Sequence, residues 1–435
     1  MNKVIPKIMP GFMELLPEDQ ILFNEIVDTI RKTYEEFGFL PLDTPVLEYS
    51  EILLAKAGGE TEKQIYRFKK GENDISLRFD LTVPLARYVS QRYNDLVFPF
   101  KRYQIGKVYR GERPQKGRYR EFYQCDIDII NENLNILYDA EMPAVIYNVF
   151  KKLNFGKFTI RLNNRKVLNG FFNSLDLEQK VVNVLRVIDK LEKIGLDKVK
   201  EELSELSIKD SVIDKIINFV TISGTNNEIL DALKGLKIEN DLFKTGLEEL
   251  EQVISSLKFL SVDESYYVID LTIARGLDYY TGTIYETKLD DYLSIGSICS
   301  GGRYDNLADF YTDKKLQGVG ISIGLTRLFY KLKEAGIIKS NRKTLSKVLI
   351  LPFDQKNLNY SLKVSTHFRN NNINCDVYYE NKNLKQKLKY ANRLGIPYVC
   401  IIGDDEEKEN KVTIKNMETG EQSICKIEEA IKELL

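Results

Sequence analysis

Between Arg120 and Ile130 the chain reads REFYQCDIDII, an alternation that matches the two-residue period of a β-strand. Strand side chains point alternately to two faces, so Phe122, Gln124, Asp126 and Asp128 share one face and Tyr123, Cys125, Ile127 and Ile129 the other. The second set is ordinary core. The first carries an amide and two carboxylates with an aromatic at one end, poor material for a core and good material for the wall of a pocket. A further strand is expected over Tyr103 to Arg110, and the two flank the turn-rich, basic segment Gly111 to Tyr119. Any fold for this chain therefore has to accommodate a strand, a basic loop and a strand with one polar face.

The 435 residues carry 63 Lys plus Arg against 64 Asp plus Glu, and the resulting net charge of −1 would by itself argue against a polyanionic partner. The balance is uneven along the chain. From Lys101 to Arg120 there are eight basic residues and one acidic one, Glu112. Such a stripe can bind nucleic acid on a neutral protein, although a charge run alone is more often a solvated face. The one histidine, His367, rules out a zinc site built from several imidazoles and leaves a Ser-His-Asp triad only that residue. The five cysteines (Cys125, Cys299, Cys375, Cys400, Cys425) are never closer than 25 positions, so C-x-x-C is absent and they read as reduced, buried thiols. No run approaches the ~20 apolar residues of a membrane span. The start, MNKVIPKIMPGF, has no continuous apolar stretch of a signal peptide, and a cytoplasmic location is expected.

A chain this long implies two or three domains. Apolar residues at Phe23, Val27, Ile30, Tyr34 and Phe37 predict a helix over Glu18 to Phe37, with carboxylates in its first turn and Gly38 ending it. The extended run Phe39 to Leu47 carries Pro41 and Pro45, which fits a sheet edge or a strand start and not a central strand. From about Asn164 to Leu260 the texture is Lys/Glu/Leu-rich and helical. Strand signals resume at Tyr267 with glycine-rich segments, and residues 335–346 look like a linker. The last ~90 residues alternate strands (347–353, 373–379, 398–403) with helices near 356–370 and 382–394, a small α/β domain.

Nucleotide signatures of the P-loop or G-x-G-x-x-G kind are absent, so any ATP would have to be held mainly through arginines, whose planar forks grip phosphate bidentately. Four segments could carry chemistry. LRFDLTVPLARY (77–88) offers Asp80 and Thr82 before a proline, though such a step by itself is more often a helix N-cap. YQIGKVYRGERPQKGRYREFYQCDID (103–128) contains the basic loop and the polar face. ARGLDYYTGTIYE (274–286) sets Arg275 beside glycine ahead of paired tyrosines. SIGSICSGGRYDNL (294–307) precedes GVGISIGLTRL (318–328), whose glycines suit close packing against a ligand, with Arg327 one turn into a helix.

Taken together, in order and spacing, these segments resemble the histidyl-tRNA synthetase family over nearly the whole chain. PGFMELLPED and PLDTPVLE are similar to its opening segment and first class II motif, YRGERPQKGRYREFYQ to the second and GVGISIGLTRL to the third. ARGLDYYTGTIYE and CSGGRYDNL look like the two peptides that set the histidine enzyme apart. Class I synthetases need an H-I-G-H signature, which one histidine cannot supply. The resemblance implies an α+β class II catalytic domain, an antiparallel sheet flanked by helices, formed by 1–163 and 261–333. It also implies a helical insertion at 164–260, a linker at 334–346 and a C-terminal α/β anticodon-binding domain at 347–435.

The implied reaction joins L-histidine to ATP as histidyl-adenylate, releasing pyrophosphate, and then transfers histidine to the 3′ end of tRNA(His). Arg110 and Arg275 are the implied catalytic residues, with Glu112, Phe122 and Arg327 completing the ATP site. Asp80, Leu81, Thr82, Gln124, Asp128, Tyr279, Tyr280 and Tyr304 would bind histidine. Arg113, Gln115, Lys116 and Arg118 would meet the tRNA acceptor end. Mg²⁺ would accompany the ATP phosphates, with no zinc, no organic cofactor and no membrane partner, and the class II fold implies a homodimer. Where many bacterial members carry glutamate, this chain has Asp80 and Asp128, whose carboxylates sit ~1.5 Å further back, about one C–C bond. Two other readings stay open at this stage: a non-catalytic synthetase-like regulatory subunit, and a class II synthetase for threonine or proline. The set Arg110, Arg275 and Arg327 argues against the first, and the tyrosine-rich ARGLDYYTG against the second.

Overall fold

The structure, a computed structural model, describes residues 3–55, 60–114, 117–274, 280–306 and 308–435. They group into two units. One holds Ile26–Ile338 and the segment up to Met13; the other holds Glu14–Glu25 and Lys339–Leu435.

The strands of the first unit are, in chain order, β1 (Leu40–Pro41), β2 (Leu47–Tyr49), β3 (Arg67–Lys70), β4 (Asn73–Leu77), β5 (Phe100–Tyr109), β6 (Glu121–Asn131), β7 (Phe158–Asn164), β8 (Tyr267–Ile269), β9 (Thr283–Leu289), β10 (Cys299–Tyr304) and β11 (Gln317–Gly324). Eight of them form one sheet in the order β1-β5-β6-β11-β10-β9-β7-β8. Its central pairs are antiparallel, and only the outermost pairs, β1 with β5 and β7 with β8, are parallel. A smaller sheet has the order β2-β4-β3. Pro41 lies on the edge strand β1, where its missing N–H costs no ladder bond.

The alternation of Arg120 to Ile130 appears as β6. Cys125, Ile127 and Ile129 are fully buried, and the helix Leu325–Glu334 covers their side of the strand, with the Thr326 hydroxyl accepting from the Tyr123 amide at 2.8 Å. Each fully buried isoleucine contributes about 1.5–3 kcal/mol. A one-residue slip of β6 would lose that and drive carboxylates into the core, so the register is strongly specified.

The expected helix of Glu18 to Phe37 is observed at Pro17–Glu36, closed by Gly38 at φ +77°. Its buried stripe is Phe23, Ile26, Ile30, Thr33 and Tyr34, with Val27 and Phe37 only at the margin, a rotation of the face anticipated from spacing. Helices occupy most of residues 165–259, beginning with Arg165–Asn173 and ending with the long helix Asp241–Phe259.

In the second unit, β12 (Val348–Pro352), β13 (Cys375–Val377), β14 (Tyr398–Ile402), β15 (Lys411–Asn416) and β16 (Gln422–Lys426) form a sheet in the order β13-β12-β14-β15-β16. The first three are parallel, as the strand–helix alternation implies. The antiparallel β15–β16 hairpin and the closing helix Ile427–Leu434 were not evident from the sequence. All five cysteines are free; Cys125, Cys299 and Cys400 are buried, but Cys375 and Cys425 are partly exposed, which corrects the expectation that all are buried.

Candidate active site

The polar face of β6 is flanked by matching rows on both neighbours. Arg102, Gln104 and Gly106 of β5 stand opposite Asp128, Asp126 and Gln124, and on the other side Gly320, Ser322 and Gly324 of β11 oppose the same three residues. The result is a strip three strands wide with acids along its middle.

At its centre Arg102 is fully buried and places Nη2 2.5 Å from Asp128 Oδ2. The same nitrogen lies 3.4 Å from the Leu81 carbonyl oxygen, tying the strip to the 77–88 segment. Arg102 Nε and Nη1 have no hydrogen-bond partner, and neither do Asp126 Oδ1 and Gln124 Oε1. Gln124 Nε2 donates to Ser322 Oγ at 2.8 Å, and Tyr304 Oη donates to Asp128 Oδ1 at 2.6 Å. Buried polar atoms without partners are rare in folded proteins, and several of them on adjacent strands make this strip a candidate place for a polar ligand.

Two glycines of β11, Gly320 and Gly318, make room for the protein's own side chains, whereas Gly324, opposite Gln124, has nothing within 4 Å of where a Cβ would stand. A Cβ on Gly320 would lie 2.6 Å from Asp128 Cγ, and one on Gly318 would collide with the Tyr304 ring. They are the space into which the acid and the phenol fit.

Asp80 accepts from the Val83 amide at 3.1 Å, a bond into the first turn of the helix Thr82–Gln91, whose N-cap position is Leu81. Asp80 is also buried beside the strip: burial pushes its carboxyl up to about 6, against the pull of the Val83 amide and of the Arg110 and Arg102 guanidinium groups. Burial pushes Asp126 up to about 7, opposed by Arg102 and Ser322 and reinforced by the like charges of Asp128 and Asp80. Burial raises Asp128 as well, against Arg102 and the Tyr304 hydroxyl. Three carboxyl groups thus share one buried guanidinium, and each is harder to ionise than usual because water cannot reach it. Leu81 is buried and Thr82 opens the helix Thr82–Gln91. Tyr280 packs with Tyr304, Ala86 and Tyr311 in a small cluster at the end of the strip.

At the other end, Arg110 Nε donates to the Phe79 carbonyl at 3.0 Å, and its guanidinium carbon lies 5.2 Å from the centre of the Phe122 ring. Glu112 is 3.4 Å from Arg118, and Arg113 and Arg118 are exposed. Arg327, in the first turn of the helix Leu325–Glu334 that follows β11, is exposed and donates to the Ile295 carbonyl at 2.9 Å. Arg275, Tyr279, Gln115 and Lys116 lie outside the described residues. Arg102, Asp126 and Ser322 belong to the strip but were not singled out as site residues. The alternation Arg102, Gln104, Gly106 was present in the sequence, but nothing local says that this strand faces Asp128.

The family model described as histidyl-tRNA synthetase matches residues 11–328, and one described as an anticodon binding domain matches residues 347–435. This chain belongs to the histidyl-tRNA synthetase family. It is 63% identical to the histidine–tRNA ligase of Clostridium tetani over 431 residues, covering 99% of this chain and 98% of that one. With the histidine–tRNA ligase of Finegoldia magna the identity is 49%, covering 99% of each. The crystal structure of histidyl-tRNA synthetase from a Nostoc species superposes with a TM-score of 0.92 at 42% identity over the whole of both chains. The large sheet and its helices are accordingly a class II synthetase catalytic domain, and the strands β12 to β16 with their helices are an α/β anticodon-binding domain.

Proposed function

We propose that the strip binds L-histidine and that the protein activates it with ATP to histidyl-adenylate, releasing pyrophosphate, before transferring it to the 3′ end of tRNA(His). The observation that carries this reading is the charge of the strip. Asp80, Asp126 and Asp128 lie buried together beside the Arg102 guanidinium, with Arg110 acting on Asp80, and carboxylates grouped in this way can take up a small cation. The α-ammonium of an amino acid supplies that cation. Its imidazole brings one donor and one acceptor, which a carboxylate such as Asp128 and phenols such as those of Tyr280 and Tyr304 can satisfy. A buried site built this way rejects non-bonding analogues by about 10⁴–10⁵.

In this reading Asp80, Thr82 and Gln124 hold the ammonium end, with Leu81 closing the floor, and Asp128, Tyr280, Tyr304 and Tyr279 surround the ring. The carboxylate of histidine is already ionised at neutral pH and attacks the α-phosphorus in line, so no protein base is needed. Catalysis is then mostly positioning and charge neutralisation. Arg110 grips the α-phosphate while Phe122 stacks on adenine, a pairing supported by their mutual contact. Glu112 lies at the nucleotide's edge, Arg327 takes the γ-phosphate, and Arg275 stabilises the transferring phosphoryl group. Mg²⁺ belongs to this scheme as part of the nucleotide substrate. Among the described residues no group of three or more His, Cys, Asp or Glu side chains is arranged to hold an ion by itself.

Arg113, Gln115, Lys116 and Arg118 meet the acceptor end of the tRNA, where phosphate contacts set register, and residues 164–260 clasp the acceptor arm. A second copy of the chain covers the apolar side chains exposed on the small sheet, Leu47, Tyr49 and Phe68, making a homodimer. A cytoplasmic location fits the reaction, and no helix of the described residues is long and apolar enough to cross a membrane. The test is ATP–pyrophosphate exchange with each amino acid in turn, followed by charging of total tRNA. Exchange should occur with histidine alone, and Asp128→Ala should raise the KM for histidine far more than that for ATP. Exchange with another amino acid, or equal effects on both constants, would refute the reading.

A further inference from the structure

Behind the sheet, on the face away from the strip, one carboxylate collects an unusual number of bonds. Asp139, near the start of the helix Leu137–Leu153, is completely buried. It accepts from Arg303 twice, Nη2 to Oδ1 at 2.9 Å and Nε to Oδ2 at 3.1 Å, and from Thr283 Oγ1 at 2.7 Å. Its backbone carbonyl accepts from Tyr285 Oη at 2.7 Å. Arg303 Nη2 also donates to the Leu134 carbonyl at 3.0 Å. Strands β9 and β10 are therefore pinned, from behind, to a single anion.

The front of the same backbone carries the two tyrosines. Arg303 and Tyr304 are consecutive in β10, so the arginine points back toward Asp139 while the phenol points forward to Asp128. The Arg303 carbonyl accepts from the Thr281 amide at 2.8 Å, and Thr281 Oγ1 donates to Asp305 at 2.5 Å. Tyr280, which precedes Thr281, packs in the same cluster as Tyr304. The segment carrying Tyr280 is thus bonded to β10, and β10 is in turn tied through Arg303 to Asp139. A buried ion pair is weak evidence of stabilisation, because desolvation of both charges can offset their attraction. Its bidentate geometry does fix orientation.

We propose that Asp139, Arg303 and Thr283 are positioning residues, a node behind the sheet that holds Tyr280 and Tyr304 at the separation the histidine side chain requires. The inference rests on the reading of the strip as the histidine pocket. It is tested by ATP–pyrophosphate exchange on the full-length enzyme and its Asp139→Asn, Thr283→Val and Tyr304→Phe variants, varying histidine and ATP separately. Asp139→Asn should raise the KM for histidine about tenfold and Thr283→Val about threefold, as expected for weakened buried hydrogen bonds, with the KM for ATP nearly unchanged. A merely structural role would lower the amount of active enzyme and leave both constants alone. Unmoved histidine constants in Asp139→Asn and Thr283→Val, or constants for histidine and ATP rising together, overturn the inference. Should Asp139→Asn fail to fold, Thr283→Val decides, since it removes one hydrogen bond and keeps the side-chain shape. An unmoved histidine constant in Tyr304→Phe overturns the pocket reading together with this inference, whereas a raised one there beside unmoved node variants overturns the inference alone.

Discussion

Gly320→Ala is the sharpest probe of the strip, because it adds one methyl group and neither adds nor removes a charge. The backbone at Gly320 is ordinary extended strand, so alanine brings no conformational penalty of its own. Its Cβ would lie 2.6 Å from Asp128 Cγ and close against Asp128 Oδ1, and 2.5 Å from the Ile127 carbonyl oxygen. Moving the Asp128 carboxylate relieves only the contacts with that side chain, so the β6–β11 pairing must also spread locally at Ile127. Moving the carboxylate stretches both the 2.5 Å contact with Arg102 and the 2.6 Å bond from Tyr304. A hydrogen bond to a charged group contributes about 1.5–3 kcal/mol, and every 1.4 kcal/mol is tenfold. The KM for histidine should therefore rise by about 10- to 100-fold. Overpacking should also cost about 1–3 kcal/mol of stability. Exchange kinetics with varied histidine, and the shift of the thermal midpoint by histidine and by ATP separately, give the measurement. A folded Gly320→Ala enzyme with an unchanged KM for histidine would refute the geometry on which the pocket rests.

Two other predictions concern charge. Burial raises Asp126 from an ordinary 3.8 to about 7 and Asp80 to about 6, so the folded protein holds these protons at pH values where the unfolded chain has released them. Their contribution to stability is complete below about pH 4 and is lost as pH rises through 6 to 7. The denaturant midpoint of the free enzyme should fall between pH 5 and 8, and that of Asp126→Asn should fall less; equal slopes would count against the buried acid. Arg110→Ala removes the guanidinium beside Phe122 and should raise the KM for ATP and slow exchange. Histidine binding measured by calorimetry should persist, and its loss would place Arg110 in the amino-acid pocket instead.

Much of the site was legible because strand periodicity is local. The alternation of Phe122 to Asp128 identified the polar face, and that face emerged as read. The motif order identified the family, and the pattern of the last ~90 residues identified a small α/β domain there. The helix margin at Val27 and Phe37 was misplaced because spacing alone does not say which neighbour covers a face. The β15–β16 hairpin escaped notice because its short strands, KVTIKN and QSICK, carry too few apolar residues to stand out.

The sequence by itself determined what each strand presents to its two sides, since that depends only on the geometry of an extended backbone. It also excluded chemistry that needs several imidazoles or a C-x-x-C pair, because the chain has one histidine and widely spaced cysteines. Which strands lie side by side was decided only in three dimensions. Arg102 meets Asp128 across a ladder from 26 residues away, Gly320 makes room for that acid from 192 residues away, and Asp139 reaches Arg303 across 164. Those adjacencies follow from long-range strand pairing and from which buried surfaces fit together, and no local pattern encodes them.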